Sequence, residues 1–249
     1  MLGEGGSMHY RDRIYRDYLT ARHESVAPQT IEAFAPRAPY LRRVIRDHFP
    51  PDKASRILEL GCGHGIFIHF IREAGYANVT GVDRSPEQVA VAKKLRIEGV
   101  IGGDIMATLS GMPDACLDVL IAHDVIEHLT QNEAVALADH ANRVLAPNGL
   151  FVLHTINADS PFFGAIRYGD FTHEMAYNRA SMGQLLMSSG FTRVDCFEDA
   201  PIAHGLTSTV RLLLWKVLRS GLRLFNAVET GDIGRNAVLT RNFLTVATK

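Results

Sequence analysis

The sequence predicts an α/β fold: an open, mostly parallel, doubly wound sheet. Three observations predict it. Short apolar runs rich in β-branched residues alternate with stretches of helical period between residues 56 and 154. The first run opens through a glycine-rich loop into a helix. Two further strand-like runs, 192–197 and 242–248, follow a helix that stops at Gly190.

Arg56 to Leu60 reads as a buried strand, followed by Gly61, Gly63 and Gly65 and then by Ile66, Phe67, Phe70 and Ile71 at helical spacing. Glycines at that spacing allow a sharp turn and leave main-chain amides open to a ligand. The pattern is G-x-G-x-G after the acidic Glu59, not the dinucleotide G-x-G-x-x-G, and no Lys-Ser or Lys-Thr pair makes it a P-loop. A tight turn with no ligand is the plainer reading of such a loop.

The second strand, Asn78 to Val82, closes at Asp83, 18 positions beyond Gly65. An acid there faces the crevice of an α/β sheet and can accept hydrogen bonds from both hydroxyls of a ribose. Ser85 and Pro86 signal a helix start, with lysines in its last turn. Val100 and Ile101 form a brief third strand before Gly102-Gly103-Asp104-Ile105, where Asp104 also suits a simple turn. Leu117 to Ala122 is the fourth strand and Leu150 to His154 the fifth, entered from a Pro-Asn-Gly turn. Ahead of them, 9–53 is charged and proline-interrupted, with two or three short helices that end before Pro50-Pro51.

Composition bounds the function. The chain has 249 residues, 47% hydrophobic and 21% charged, with a formal net charge of −1. That balance fits one globular domain with extra segments and argues against a nucleic-acid substrate. Three dispersed cysteines give neither a disulfide framework nor a zinc site, and the first residues lack an apolar leader, so a cytoplasmic setting is expected. Residues 1–8 read as a flexible tail.

The ordered set E-L-G-C-G-H-G, G-V-D, G-G-D, H-D-V-I-E-H-L and L-A-P-N-G-L-F, within residues 54–155, resembles the class I S-adenosylmethionine (SAM) methyltransferases. It resembles the small-molecule branch related to ubiquinone-pathway O-methyltransferases. The resemblance implies a Rossmann-like sheet of seven strands with an antiparallel C-terminal hairpin. It also implies a SAM site, with S-adenosylhomocysteine as product, built from Glu59, Gly61, Gly63, Gly65, Asp83, Arg84, Asp104, Ile105 and His123. In it Asp104 would bind the adenine amine and Ile105 would pack on the ring. The loop after the fourth strand lacks an N-P-P-Y-like sequence, and no Pro-Cys pair occurs, which sets aside the DNA-base branches.

Methyl transfer from a sulfonium needs the acceptor aligned with the methyl and, for a hydroxyl, its proton removed. Two polar clusters qualify. In the first, Asp124 and His128 are expected one helical turn apart on a shared face beside Glu127. In the second, Tyr168 to Glu174 follows a Pro-Phe-Phe entry, and its D-x-T-H spelling at Asp170 to His173 is similar to bacterial methyltransferases of polysaccharide and secondary-metabolite pathways. His173 is the expected general base, oriented by Asp170 or Glu127. The plain reading of His128 is a histidine that satisfies buried backbone. A divalent ion such as Mg²⁺ held by these groups is a third reading, but no ligand spacing requires one.

The expected organisation is thus a helical cap at 9–53 and a methyltransferase domain at 54–249, carrying a lid at 156–180 and an insertion at 201–235. A capped helix is expected from Ser181. Within the insertion, Lys216, Arg219 and Arg223 fall opposite Val210, Leu213, Leu214, Val217, Leu224, Phe225 and Val228. That helix would bury its apolar face in the core or a homodimer, or lie on a membrane through 207–228. The sequence reading is a SAM-dependent O-methyltransferase acting on a sugar or related polyhydroxy small molecule, such as a glycan acceptor in bacterial polysaccharide biosynthesis. The alternatives are a quinone-type or natural-product phenol methyltransferase and a non-catalytic SAM-binding subunit.

Overall fold

The computed structural model describes residues 10–16, 19, 28–234 and 236–249. The expected tail at 1–8 lies outside them. The seven expected strands are β1 (Ile57–Leu60), β2 (Val79–Asp83), β3 (Val100–Gly102), β4 (Leu117–His123), β5 (Leu145–Ile156), β6 (Arg193–Glu198) and β7 (Asn242–Thr248). They form one sheet in the order β3-β2-β1-β4-β5-β7-β6. The first five are parallel, and β7 runs antiparallel to both β5 and β6. The chain builds outward from β1 to β3 and then returns to place β4 on the other side of β1. The order therefore reverses between β1 and β4, which opens a crevice at their C-terminal ends.

The two-residue period of the strands sorts their side chains between two apolar layers. Ile57, Val119 and Ile121 face one layer, with α2 (Ala38–His48) and α3 (Ile66–Glu73), where Leu41, Val44, Phe67 and Ile68 are buried. Leu58, Leu60, Leu120 and Ala122 face the other, with α6 (Gln131–Val144) and α8 (Arg179–Ser188), through Leu137, Ala141, Met182 and Leu186. The remaining helices are α1 (Tyr10–Arg16), α4 (Pro86–Lys94), α5 (Ile105–Ser110), α7 (Phe163–Arg167) and α9 (Leu206–Thr230), and 3₁₀ turns cover Ile31–Phe34 and Ile126–His128.

Three local expectations change. Asp104 is the N-cap of α5, its Oδ1 accepting from the Met106 and Ala107 amides at 3.0 Å each. Helix α8 begins at Arg179, capped by Asn178, with Ser181 as the reciprocal partner of that cap. The third change concerns α9, which does not bury its apolar face in the core. Its polar side faces the body: Arg219 Nε donates to Glu198 Oε2 at 2.6 Å, Arg223 Nε to the Ile233 carbonyl at 3.2 Å and Asn226 Nδ2 to the Asp232 carbonyl at 2.8 Å. Leu214, Val217, Leu224, Phe225 and Val228 point outward, 59–81% exposed. Among the described residues no helix is long and apolar enough to cross a membrane.

Candidate active site at the strand-order switch

The loop after β1 has a left-handed backbone at Gly61, Gly63 and Gly65, with φ of 62°, 55° and 82°. A Cβ on Gly61 would lie 2.6 Å from Val125 Cγ2, and one on Gly65 2.8 Å from Val100 Cγ2, so both backbone angle and space require glycine. Asp83, at the tip of β2, fixes this loop. Its Oδ2 accepts from the Gly63 amide at 2.7 Å and its Oδ1 from the Ser85 amide at 2.8 Å. Burial raises the Asp83 carboxyl above its ordinary value, and those two amides oppose the rise. Each oxygen retains a second lone pair for a ligand. Beneath, Glu59 is fully enclosed, and its Oε2 has no hydrogen-bond partner among the described residues. Burial, then the nearby Asp83 charge, raises the Glu59 carboxyl well above its usual range.

Two cavities meet at this loop. The first, about 270 Å³, is lined by Gly61, Gly63, Asp83, Arg84, Asp104, Ile105 and His123. The second, about 430 Å³, shares Gly61, Gly63, Gln88, His123, Asp124 and His128 with the first and reaches Glu59, Glu127, Asp170 and His173. The expected cofactor residues are therefore brought together, apart from Gly65, which lines neither cavity and instead turns the chain into α3. Arg84 also ion-pairs with Asp12 of α1. The cradle suits a nucleoside-type ligand carrying a cation: amides and a carboxylate at one end, and the partnerless Glu59 oxygen bordering the adjoining cavity.

The second cluster departs from expectation. Asp124 has φ of 56° and precedes the 3₁₀ turn, so it does not share a helical face with His128. Its Oδ1 instead lies 2.5 Å from Nδ1 of His154, on the neighbouring strand, and its Oδ2 lies 3.2 Å from Nδ1 of His123. Asp199 Oδ2 lies 3.5 Å from the far nitrogen of His154. Burial disfavours a charged His154, but the Asp124 carboxylate, with help from Asp199, holds its pKa up to about 10. Burial likewise opposes ionisation of Asp124, and the two imidazoles outweigh it, so this carboxyl stays well below the usual range. His123, largely buried at the junction of the two cavities, is pushed down by burial.

Among the described residues, His173 makes its side-chain hydrogen bond to a backbone carbonyl rather than to Asp170 or Glu127. Its Nδ1 lies 3.0 Å from the Ile166 carbonyl and so carries the proton, leaving Nε2 as acceptor. Asp170 Oδ1 accepts from the Thr172 amide at 2.8 Å and hydroxyl at 2.6 Å. Because the Thr172 proton is spent there, Thr172 Oγ1 accepts from His128 Nδ1 at 2.8 Å, and His128 also presents a bare Nε2. Burial, then the neighbouring His173, lowers His128 to about 4, which keeps it neutral. Glu127 Oε2 accepts from Thr155 Oγ1 at 2.9 Å, and burial followed by the Asp124 charge raises Glu127 to about 8. The His128 and His173 rings are 4.7 Å apart.

Sequence reasoning missed the residues that close the site from other elements. Arg11 on α1 binds both oxygens of Glu133, at 2.7 and 2.8 Å, while Tyr15 packs edge-on against His128. His64 stacks on Phe34, and its Nδ1 lies 3.0 Å from Gln88 Oε1. The helical period at Ile14 and Tyr15 was the one available signal, and it carried no partner.

A glycine cradle at the switch point, an acid at the tip of the second strand and a polar corner beside them suit a nucleoside-type ligand. Residues 31–195 match the family described as "Methyltransferase domain", and the chain belongs to that family. It is 30% identical over 131 residues to the ubiquinone biosynthesis O-methyltransferase of Azorhizobium caulinodans, covering 49% of this chain and 51% of that one. To the protein of the same name from Psychrobacter arcticus it is 28% identical over 161 residues, covering 56% and 60%. The chain thus spans roughly half the length of these curated relatives. In fold it is similar to a SAM-dependent methyltransferase from Archaeoglobus fulgidus, with a TM-score of 0.65 and 21% identity over 88% of this chain and 97% of that one. It is also similar to phosphoethanolamine N-methyltransferase 2 of Haemonchus contortus, solved with SAM, with a TM-score of 0.59 and 15% identity over 94% and 60%. The fold is that of the SAM-dependent methyltransferases.

Proposed function

We propose that this protein is a cytoplasmic SAM-dependent O-methyltransferase that methylates a hydroxyl of a sugar or related polyhydroxy small molecule, such as one in bacterial polysaccharide biosynthesis. The observation that carries the reading is the junction of the two cavities at Gly61, Gly63, His123, Asp124 and His128. The donor-side cavity is lined by every expected cofactor residue except Glu59 and Gly65. The acceptor-side cavity is walled by Glu127, His128, Asp170 and His173 together with Arg37, and by apolar groups such as Leu41, Phe67, Ile156 and Ile166. The polar groups suit an acceptor with several hydroxyls.

Bound SAM supplies a methyl group on a positively charged sulfur. In this reading Asp83 and the loop amides hold the nucleoside, and Glu59 offers its carboxyl at the loop floor. Asp104 keeps Oδ2 for the adenine amine while its Oδ1 caps α5. His173 takes the acceptor proton at Nε2, held in the right tautomer by the Ile166 carbonyl. We assign the described residues between 10 and 53 as a cap over the site, the remainder of 9–53 lying outside the described residues, and 156–180 as the acceptor lid, and we assign the outward face of α9 to a homodimer contact. The ubiquinone-pathway names of the relatives favour a second acceptor class, a quinone-type phenol.

Isothermal titration with S-adenosylhomocysteine, followed by a panel of sugars and catechols with radiolabelled SAM, tests the proposal. Binding by the wild type with sugar turnover supports it. Catechol turnover alone moves the acceptor to the phenol class, and binding without turnover of any acceptor supports the non-catalytic subunit.

A further inference from the structure

We propose that Glu127, His128 and His173 bind one first-row divalent metal ion of the Mn²⁺ to Zn²⁺ series in the wall of the acceptor-side cavity. Each of the three brings a ligating atom within 4.8 Å of those of the other two. They come from two separate segments, the 3₁₀ turn after β4 and the lid, so the cluster is a product of the tertiary fold. Proximity alone would be weak. The stronger observation is the outer layer around the two imidazoles.

His173 donates Nδ1–H to the Ile166 carbonyl, and His128 donates Nδ1–H to Thr172, which in turn donates to Asp170. Imidazoles that bind metals are characteristically pinned in this way, with one nitrogen donating to a carbonyl or toward a carboxylate so that the other presents its lone pair. Glu127 is likewise steadied on one oxygen by Thr155. The three groups line one cavity, and among the described residues no side-chain hydrogen bond engages either Nε2 or the second Glu127 oxygen. The other histidine-carboxylate group, His123, Asp124 and His154, differs because its Nδ1 atoms and both Asp124 oxygens are already engaged with one another. Two nitrogens and one oxygen suit Mn²⁺, Fe²⁺, Co²⁺ or Zn²⁺, whereas Mg²⁺ and Ca²⁺ favour all-oxygen sites.

For its role, though not for its existence, the site rests on the methyl-transfer reading. A cation here would hold an acceptor hydroxyl and lower its pKa. The hydroxyl proton then passes to water, the bond between methyl carbon and sulfur breaks, and the new carbon–oxygen bond forms. His173 serves the reaction as a ligand when the ion is present and as the proton acceptor when it is stripped away.

The test is a titration of the chelator-stripped full chain with Co²⁺, followed by visible absorbance and calorimetry. S-adenosylhomocysteine binding is measured on the same samples. One Co²⁺ per chain is expected, with affinity at least tenfold weaker in His128→Ala, His173→Ala and Glu127→Gln. Thr172→Val keeps all three ligands but loses the outer hydrogen bond, and a tenfold to hundredfold weaker affinity is expected there. Absence of Co²⁺ binding, or binding unchanged in the His128→Ala/His173→Ala double variant, overturns the proposal. Co²⁺ binding without S-adenosylhomocysteine binding would sustain the ion site and sink the donor assignment instead.

Discussion

The imidazoles of His123 and His154 lie stacked at 4.2 Å and 12°, at the ends of adjacent parallel strands, with the Asp124 carboxylate reaching both. Folding therefore raises the affinity of His154 for its proton from an ordinary 6.5 to about 10. That gain is fully present below about pH 6.5 and is lost as pH rises through about 10. The Asp124 carboxyl is depressed instead, so its contribution is present above its ordinary range and lost in acid. Thermal midpoints should fall between pH 8 and pH 10 in the wild type, by ~2 °C or more, and fall less in His154→Asn. Parallel pH profiles for the two proteins would refute the pairing.

Asp83 does two jobs, shaping the loop through Gly63 and offering lone pairs to a ligand. Asp83→Ala should weaken S-adenosylhomocysteine binding by roughly tenfold to a hundredfold, the scale of lost charge-assisted hydrogen bonds. Asp83→Asn should fall between. Calorimetry reads both, and equal affinity in all three proteins would remove Asp83 from the donor site.

Gly61 is squeezed against Val125 at a left-handed backbone angle. Gly61→Ala should cost about 1–3 kcal/mol in urea unfolding. Trimming the obstruction with Val125→Ala should recover the steric part but not the backbone part. If the double variant is no better than the sum of the two single changes, the contact is not the cause.

His173→Ala should reduce methyl transfer about 100-fold or more, whether the residue acts on the proton directly or through an ion. A loss below about tenfold at unchanged acceptor KM would exclude both.

The outward face of α9 should be covered in solution. Sedimentation equilibrium should show a dimer that Val217→Glu and Leu224→Glu dissociate, since exposed apolar patches of this kind mark contact surfaces. A monomer that floats with anionic phospholipid vesicles would instead place this face on a membrane.

Much of the geometry around the glycine loop was legible from sequence because its signals are local. Gly61 to Gly65, Asp83, and the Ser85-Pro86 helix start each announce themselves within a few residues. The polar cluster around Asp124, Glu127, His128 and His173 was not, because it depends on register. Asp124 meets His154 only because His123 pairs with His154 across β4 and β5, and nothing in either segment encodes that alignment. The chain from Asp170 through Thr172 to His128 spans two elements in the same way. The short helix α5 escaped notice because six residues after a Gly-Gly pair carry too little periodicity, and Asp104 there reads equally as a turn or a cap. The basic stripe of α9 was visible, but which side faces the body follows from partners such as Glu198, which lies on β6.

The position of β7 bears on how the chain comes to be folded at all. It inserts between β5 and β6, pairing from Leu150 to Ile156 on one side and from Arg193 to Glu198 on the other. During synthesis β6 and all of α9 emerge while this slot is still vacant, so β6 has no neighbour until residues 242–248 arrive. Until then the growing chain exposes two unsatisfied strand edges, which invite mispairing with other nascent chains. Closure of the sheet is thus a late event, and the protein's aggregation risk is concentrated in that interval.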